Sequence, residues 1–321
     1  MKKKIFYFFL LILLNINNSF AQNNTNQYTA VDAYITKLGF LESLNVARIA
    51  DTLTRKLVDK EQKARAIFFW ISHNISLDAR AIKSNDQRKS APEDVVKQRK
   101  ATPLGFAKLF QEMSSQANIR CLVVDGYAKN NTDDINNPAD EINHSWNVVQ
   151  LGQSPDQWYF VDAAKASGFN DKKLSNFTFD FTPNYFFAEK TLFNLDHYPD
   201  NSAWQLGGGS KSLKDFYALP VIARAAYTIG LKKPVPVTGF IKTKIKNKVL
   251  FSFTCNKDVV IQNVSLMIGE GKKMQKPEPM NFTASNGLVN FSYQFKTDDS
   301  FPVKIIVDGK EMLQYMVEVT E

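Results

Sequence analysis

Apolar residues recur at three- and four-residue intervals through Leu44, Ala47, Ile49, Ala50, Leu53 and Leu57, which predicts an amphipathic helix over residues 43–57. Asp59 followed by Gln62 is a capping pair for a second helix, which carries Ala64, Ile67, Phe68, Trp70 and Ile71 and ends near Asn74. A short helix is expected from Pro92. A longer one is expected from Thr102-Pro103, with Thr102 as N-cap, Pro103 in the first turn and an apolar face of Phe106, Leu109, Phe110, Met113 and Ala117. The pattern then changes period. Ile119 to Val124 reads as a buried strand closed by an Asp125-Gly126 turn, and the polar stretch 130–141 reads as a loop. Ser145 to Leu151 and Trp158 to Asp162 read as further strands. Phe177, Phe179 and Phe181 alternate, predicting a half-buried strand within residues 177–187.

Gly207-Gly208-Gly209-Ser210 opens a connecting stretch that Pro234 and Pro236 close. Beyond it the pattern is β throughout, with alternating runs at 240–245, 249–253, 264–268, 289–295, 303–307 and 315–319. Turns at Asn286-Gly287 and Asp308-Gly309 separate some of them. Such spacing over about 85 residues is that of a β-sandwich of immunoglobulin-like size.

The N-terminus adds an address. Lys2, Lys3 and Lys4 precede the unbroken apolar run Ile5 to Leu14, and Ser19-Phe20-Ala21 fits a small-x-small cleavage site. The run is too short to cross about 30 Å of hydrocarbon, so residues 1–21 read as a secretory signal peptide rather than a membrane span. The expected mature chain is exported, periplasmic or extracellular, with no membrane span. Removing the three leader lysines lowers the formal charge from +8 to +5, since 40 Lys+Arg become 37 against 32 Asp+Glu. Two cysteines and three histidines are too few for a zinc ribbon or a disulfide scaffold. No cofactor and no metal site are expected, because His73, His144 and His197 look scattered along the chain.

Several motifs occur in one order: 63–71 with Asn74-Ile75; 99–110; Gly126-Tyr127-Ala128-Lys129; His144-Ser145-Trp146-Asn147; Trp158-Tyr159-Phe160-Val161-Asp162; Tyr185-Phe186-Phe187; His197-Tyr198-Pro199; Trp204-Gln205-Leu206. Together they resemble the transglutaminase-like superfamily in its kyphoscoliosis-type peptidase branch, over roughly residues 45 to 220. The resemblance implies a papain-like α+β core, with N-terminal helices packed on an antiparallel sheet and the all-β sandwich following. It also implies a catalytic order of cysteine nucleophile at a helix N-terminus, then histidine, then aspartate. A thiolate is stabilised by the helix macrodipole, the histidine moves its proton, and the aspartate orients the imidazole. His144 and Asp162 occupy the last two places. The nucleophile's place is taken by Pro103, which has no reactive side chain yet suits a first helical turn.

Substitute nucleophiles are poor. The Thr102 hydroxyl is expected to be committed to capping, and Cys121 sits in an apolar strand where a thiol behaves as a small hydrophobe. Cys255 belongs to the sandwich, and Ser145 should point away from its neighbour His144. His144 and Asp162 also have a purely structural reading, as a pair tying two strands together. His197 reads as a loop-ordering residue, and His73 as a helix-end cation. The acidic loop 130–141 lacks the spacing of a calcium loop. Lys242, Lys244, Lys246 and Lys248 alternate, which places four ammonium groups on one strand face; no aromatics interleave, so nucleic-acid binding is not expected.

The resulting expectation is an exported protein with a transglutaminase-like domain over 22–210, a connector over 211–234 and a sandwich over 235–321. It acts as a catalytically inactive binding or scaffolding module for a protein, peptide or cell-surface polymer. His144 and Asp162 are triad remnants beside Pro103, and Thr102, Tyr127, Trp146 and Asn147 line the cleft. The alternative is an active cysteine-type peptidase or amidotransferase with a non-standard nucleophile.

Overall fold

The computed structural model describes residues 27–154, 157–171 and 173–321; the expected leader lies outside them. The N-terminal half is an α+β core. A five-stranded sheet runs in the order Phe186–Ala188, Trp158–Val161, His144–Gln150, Arg120–Ala128, His197–Pro199, antiparallel at every pairing. The Pro103–Gln116 helix packs on the two central strands, and the Val46–Thr54 and Lys60–Asn74 helices pack around it. Lys60–Asn74 is buried around its middle turns, with Ala64, Ala66, Ile67, Phe68, Trp70 and Ile71 all enclosed, so it is central rather than peripheral. Asp59 caps it by accepting from the Gln62 amide at 3.0 Å. Its one buried charge, Arg65, is met by both oxygens of Asp32 at 2.9 and 2.7 Å from the Thr29–Leu38 helix. That charged, bidentate pairing offsets the cost of taking the guanidinium out of water.

Three local expectations are corrected. Asp125-Gly126 is not a turn, because the strand runs on to Ala128. Gly126 is there for close approach: a Cβ at this position would lie 2.3 Å from the Tyr198 carbonyl oxygen and 2.6 Å from the Trp146 ring. The aromatic stretch 177–187 is not one half-buried strand. Phe177–Phe179 pairs with Gly168–Asn170 in a small hairpin with Phe179 exposed; Pro183 then opens a 3₁₀ turn, and Phe186–Ala188 becomes an edge of the main sheet. The four alternating lysines do not share a strand face. The chain turns after Lys244, where the Asn247 amide donates to the Lys244 carbonyl at 3.0 Å, and Lys248 begins the next strand. Lys242 meets Glu318 at 3.2 Å, and Lys244 donates to the Glu321 carbonyl at 2.7 Å.

The C-terminal region is two facing sheets. One has the order Lys232–Val235, Lys248–Thr254, Leu288–Gln294, Phe282–Ser285. The other has the order Val221–Ile222, Lys310–Thr320, Ser300–Val307, Val264–Ile268, Glu278–Pro279, with Phe240–Lys244 added in parallel to Lys310–Thr320. Phe251 and Tyr315 meet edge to face between them, 5.6 Å between centroids. Residues 211–234, expected to be a connector, are folded. Val221–Ile222 pairs with Lys310–Thr320, while the Leu213–Ala218 helix and the Ala226–Ile229 turn of helix pack toward the first half. Among the described residues no helix is long and apolar enough to cross a membrane.

Candidate functional site

Asn147 fixes where the site forms. Its amide nitrogen donates to the Ala107 carbonyl at 3.0 Å and to the Leu122 carbonyl at 3.3 Å, joining helix to sheet. A second tie is Gln111, which donates to the carbonyl of Cys121, the register partner of Val149. From Ala107 to Gln111 a helix advances about 6 Å, and from Asn147 to Val149 a strand advances about 6.6 Å. Helix and strand therefore run the same way. One turn back along the helix, about 6 Å, takes Pro103 toward the His144 end of the sheet.

At that end Asp162 leaves its strand and caps the Ala163–Ser167 helix, with Oδ1 accepting from the Lys165 amide at 2.8 Å. Oδ2 is thereby aimed at two imidazoles. His144 Nε2 donates to it at 2.6 Å, and His197 Nε2 lies 3.0 Å away. Asp162 and His197 are fully enclosed and His144 keeps 7% of its side chain exposed. Burial pushes the Asp162 carboxyl up, but the two imidazoles outweigh it and hold the group far below the usual carboxylate range, as an anion. Burial draws His197 down toward the neutral ring, against the pull of Asp196.

Behind this cluster lies a second buried carboxylate. Asp196 takes both its oxygens to Lys165 Nζ, at 2.9 and 3.0 Å, and accepts from the hydroxyls of Tyr227 at 3.2 Å and Tyr185 at 3.4 Å. Tyr227 comes from the folded connector, so the C-terminal half helps to build the wall of the site. The connector also receives Lys129, whose ammonium is buried, donates to the Phe216 carbonyl at 2.6 Å and lies 4.2 Å from that ring's centroid. Burial lowers this lysine to about 7.

The structure brings His144 and Asp162 together as the sequence suggests, and it redistributes the other residues. Thr102 does not line a cleft: it is buried, its hydroxyl donating to Gln87 Oε1 at 2.6 Å while facing the Gly105 amide at 3.4 Å. Asn147 is buried in the helix–sheet seam, and Trp146 is buried on the opposite face, edge-on to His197 and Phe193. Strand alternation separates the two side chains. Of the four expected lining residues only Tyr127 is half-buried rather than buried. Glu141 accepts from Asn85 at 2.9 Å and so ties the loop before His144 to the 84–88 segment.

His197 is misread in the sequence as loop-ordering. Its strand pairs with Tyr127 and Ala128 and carries the ring into the cluster, so the histidines are not all scattered. His73 does stand apart, stacked on Phe69, and burial draws it toward neutrality rather than leaving it a helix-end cation. Lys165, Asp196 and Tyr227 carry no reading in the sequence, and Tyr185 enters only as part of a motif; the Asp162-x-x-Lys165 spacing of a cap was the available signal for the first.

Among the described residues, Cys121, Ser145 and Cys255 are engaged or placed away from His144. Cys121 faces Val149 in the register, five residues along the strand and roughly 17 Å from His144, and burial pushes its thiol well above the ordinary range. Ser145 donates to Asp125 at 2.6 Å. Cys255 is a half-buried thiol in the C-terminal region.

Residues 47–163 match the family model of the transglutaminase-like superfamily. The chain is 32% identical to human kyphoscoliosis peptidase over 218 residues, 68% of this chain and 32% of that protein. It is 30% identical to cytokinesis protein 3 of Schizosaccharomyces pombe over 171 residues, 52% of this chain and 18% of that protein. It is 22% identical to the Lim and transglutaminase domain protein ltd-1 of Caenorhabditis elegans over 237 residues, 70% of this chain and 31% of that protein. The chain spans about a third or less of the length of these relatives.

Proposed function

The chain belongs to the transglutaminase-like superfamily, on the kyphoscoliosis-peptidase branch, and from that premise we propose that it is an exported binding module that holds a peptide without cutting or transferring it. The observation that carries this reading is Pro103. It stands in the first turn of the helix that begins toward the His144 end of the sheet, at the place the family resemblance gives to the nucleophilic thiol. The neighbouring Thr102 hydroxyl is already hydrogen-bonded, and Cys121 and Ser145 are engaged elsewhere. What is left is a fixed imidazole–carboxylate pair at the end of a sheet; the half-buried Tyr127 follows Gly126, the register partner of His144, and Asn85 and Glu141 tie down the loop before that histidine. An extended peptide, with its backbone donors and acceptors and apolar side chains, is the ligand such groups suit. The relatives are named for different roles, one as a peptidase and another for cytokinesis, so membership alone does not assign chemistry.

The test is a peptide-library capture with the purified chain, followed by affinity measurement on Tyr127→Ala and His144→Ala and by turnover assays on every captured peptide. The reading expects weakened binding in both variants and no product. Product that disappears in His144→Ala would overturn it and install the second reading, an active enzyme with a displaced nucleophile.

A further inference from the structure

We propose that His144, Asp162 and His197 form a binding site for one divalent transition-metal ion of the zinc class. This goes beyond the peptide-binding reading and does not depend on it. The donor atoms of the three side chains all lie within 4.8 Å of one another. An orienting histidine–aspartate pair needs only His144 and Asp162; the third group, His197, has no part in that pair, yet it is placed against the same oxygen.

His197 Nε2 faces Asp162 Oδ2 at 3.0 Å and His144 Nε2 faces the same oxygen at 2.6 Å, so two imidazole nitrogens converge on one carboxylate oxygen inside the core. The outer contacts are those such a site requires: the Phe193 carbonyl lies 3.3 Å from His197 Nδ1, placed to accept its N–H once Nε2 binds an ion, and the Lys165 amide occupies Asp162 Oδ1, leaving Oδ2 for the metal.

Two imidazoles and one carboxylate suit zinc, and also cobalt, nickel or ferrous iron; calcium and magnesium prefer oxygen alone. Metal–ligand bonds of about 2.0–2.2 Å at tetrahedral angles separate ligand atoms by roughly 3.3 Å. The present 2.6 and 3.0 Å must therefore widen by roughly 0.7 and 0.3 Å, the first by movement of the His144 ring at the surface and the second by a small shift of the Asp162 carboxylate. Of the three side chains only His144 reaches solvent, so it marks both the entry route and the direction of the fourth, open position. The ion would bring two positive charges to a single carboxylate, which a bound hydroxide or an anionic ligand at that position balances.

The experiment is titration of the purified chain with Co²⁺, read by visible absorption, followed by competition with Zn²⁺. One equivalent of bound Co²⁺ with the intense bands of a four- or five-coordinate centre is expected, displaced by one equivalent of Zn²⁺. His197→Ala and His144→Ala should each weaken binding by at least about 100-fold, the upper end of what losing even a supporting residue costs. Circular dichroism checks folding of the variants; should His197→Ala fail to fold, the partly exposed His144→Ala carries the test. No stoichiometric Co²⁺ binding by the wild type, or binding that persists unchanged in a folded variant of either histidine, overturns the proposal.

Discussion

Pro103→Cys tests the proposed nucleophile position by placing a thiol in the first turn of the Pro103–Gln116 helix. The substitution removes the ring that pre-sets the first helical φ, a cost of about 0.4–1 kcal/mol, while the Thr102 cap at the Gly105 amide stays in place. A thiol at a helix N-terminus next to a histidine falls from about 8.5 toward 7 or below. At pH 7 that change raises the thiolate fraction from about 3% to about half, roughly 15-fold. His144, already held at 2.6 Å by Asp162, then serves as base, and general-base help is worth about 10²–10⁴-fold. The assay has two readouts. Alkylation by iodoacetamide at pH 7, followed by intact mass, should show one added thiol that reacts about tenfold faster than a free cysteine, over the slower wild-type background of the half-buried Cys255, while Cys121 is buried with its thiol pushed up. Hydrolysis of peptide esters should appear in Pro103→Cys and fall by about 10²-fold or more when His144→Ala is added. A new thiol that reacts like free cysteine and ignores His144 would refute the placement of Pro103 as the vacant nucleophile position.

Other consequences are local. The unfolded chain holds the Lys129 proton up to pH 10.5 and the folded chain only to about 7, so stability rises with pH across that window. The change totals roughly 4–5 kcal/mol, and urea midpoints of Lys129→Met should lack that rise. Gly126→Ala should lower stability by about 2 kcal/mol or more, because its Cβ would meet the Tyr198 carbonyl oxygen at 2.3 Å; thermal melting checks this, and an unchanged melt would contradict it. Asn147→Ala strips donors from the buried Ala107 and Leu122 carbonyls and should cost about 2–3 kcal/mol in denaturant unfolding, with loss of the helix–sheet tie.

What was legible in the sequence divides along a physical line. Caps and periodicity are local, so Asp59, Thr102-Pro103 and the central strands could be read directly, and His144 and Asp162 followed from motif order. Burial and side-chain direction are set by distant partners. Trp146 and Asn147 look equally suited to a cleft until the pleat sends them to opposite faces of a sheet covered on both sides. Gly126 resembles a turn residue until Tyr198, seventy-two positions later, closes on it. The Thr29–Leu38 helix escaped notice because its buried stripe is only Val31 and Ile35, and its anchor is the ion pair with Arg65. His197 reaches Asp162 only through the pairing of His197–Pro199 with the far end of Arg120–Ala128, which no short-range signal encodes.

The central claim is that His144 and Asp162 persist without a nucleophile to serve. Intact-mass analysis of the wild-type chain after exposure to peptide-derived acylating electrophiles at pH 7 tests it most directly. The account predicts no stoichiometric adduct that depends on His144. An adduct on any residue, formed in the wild type and lost in His144→Ala, would contradict it.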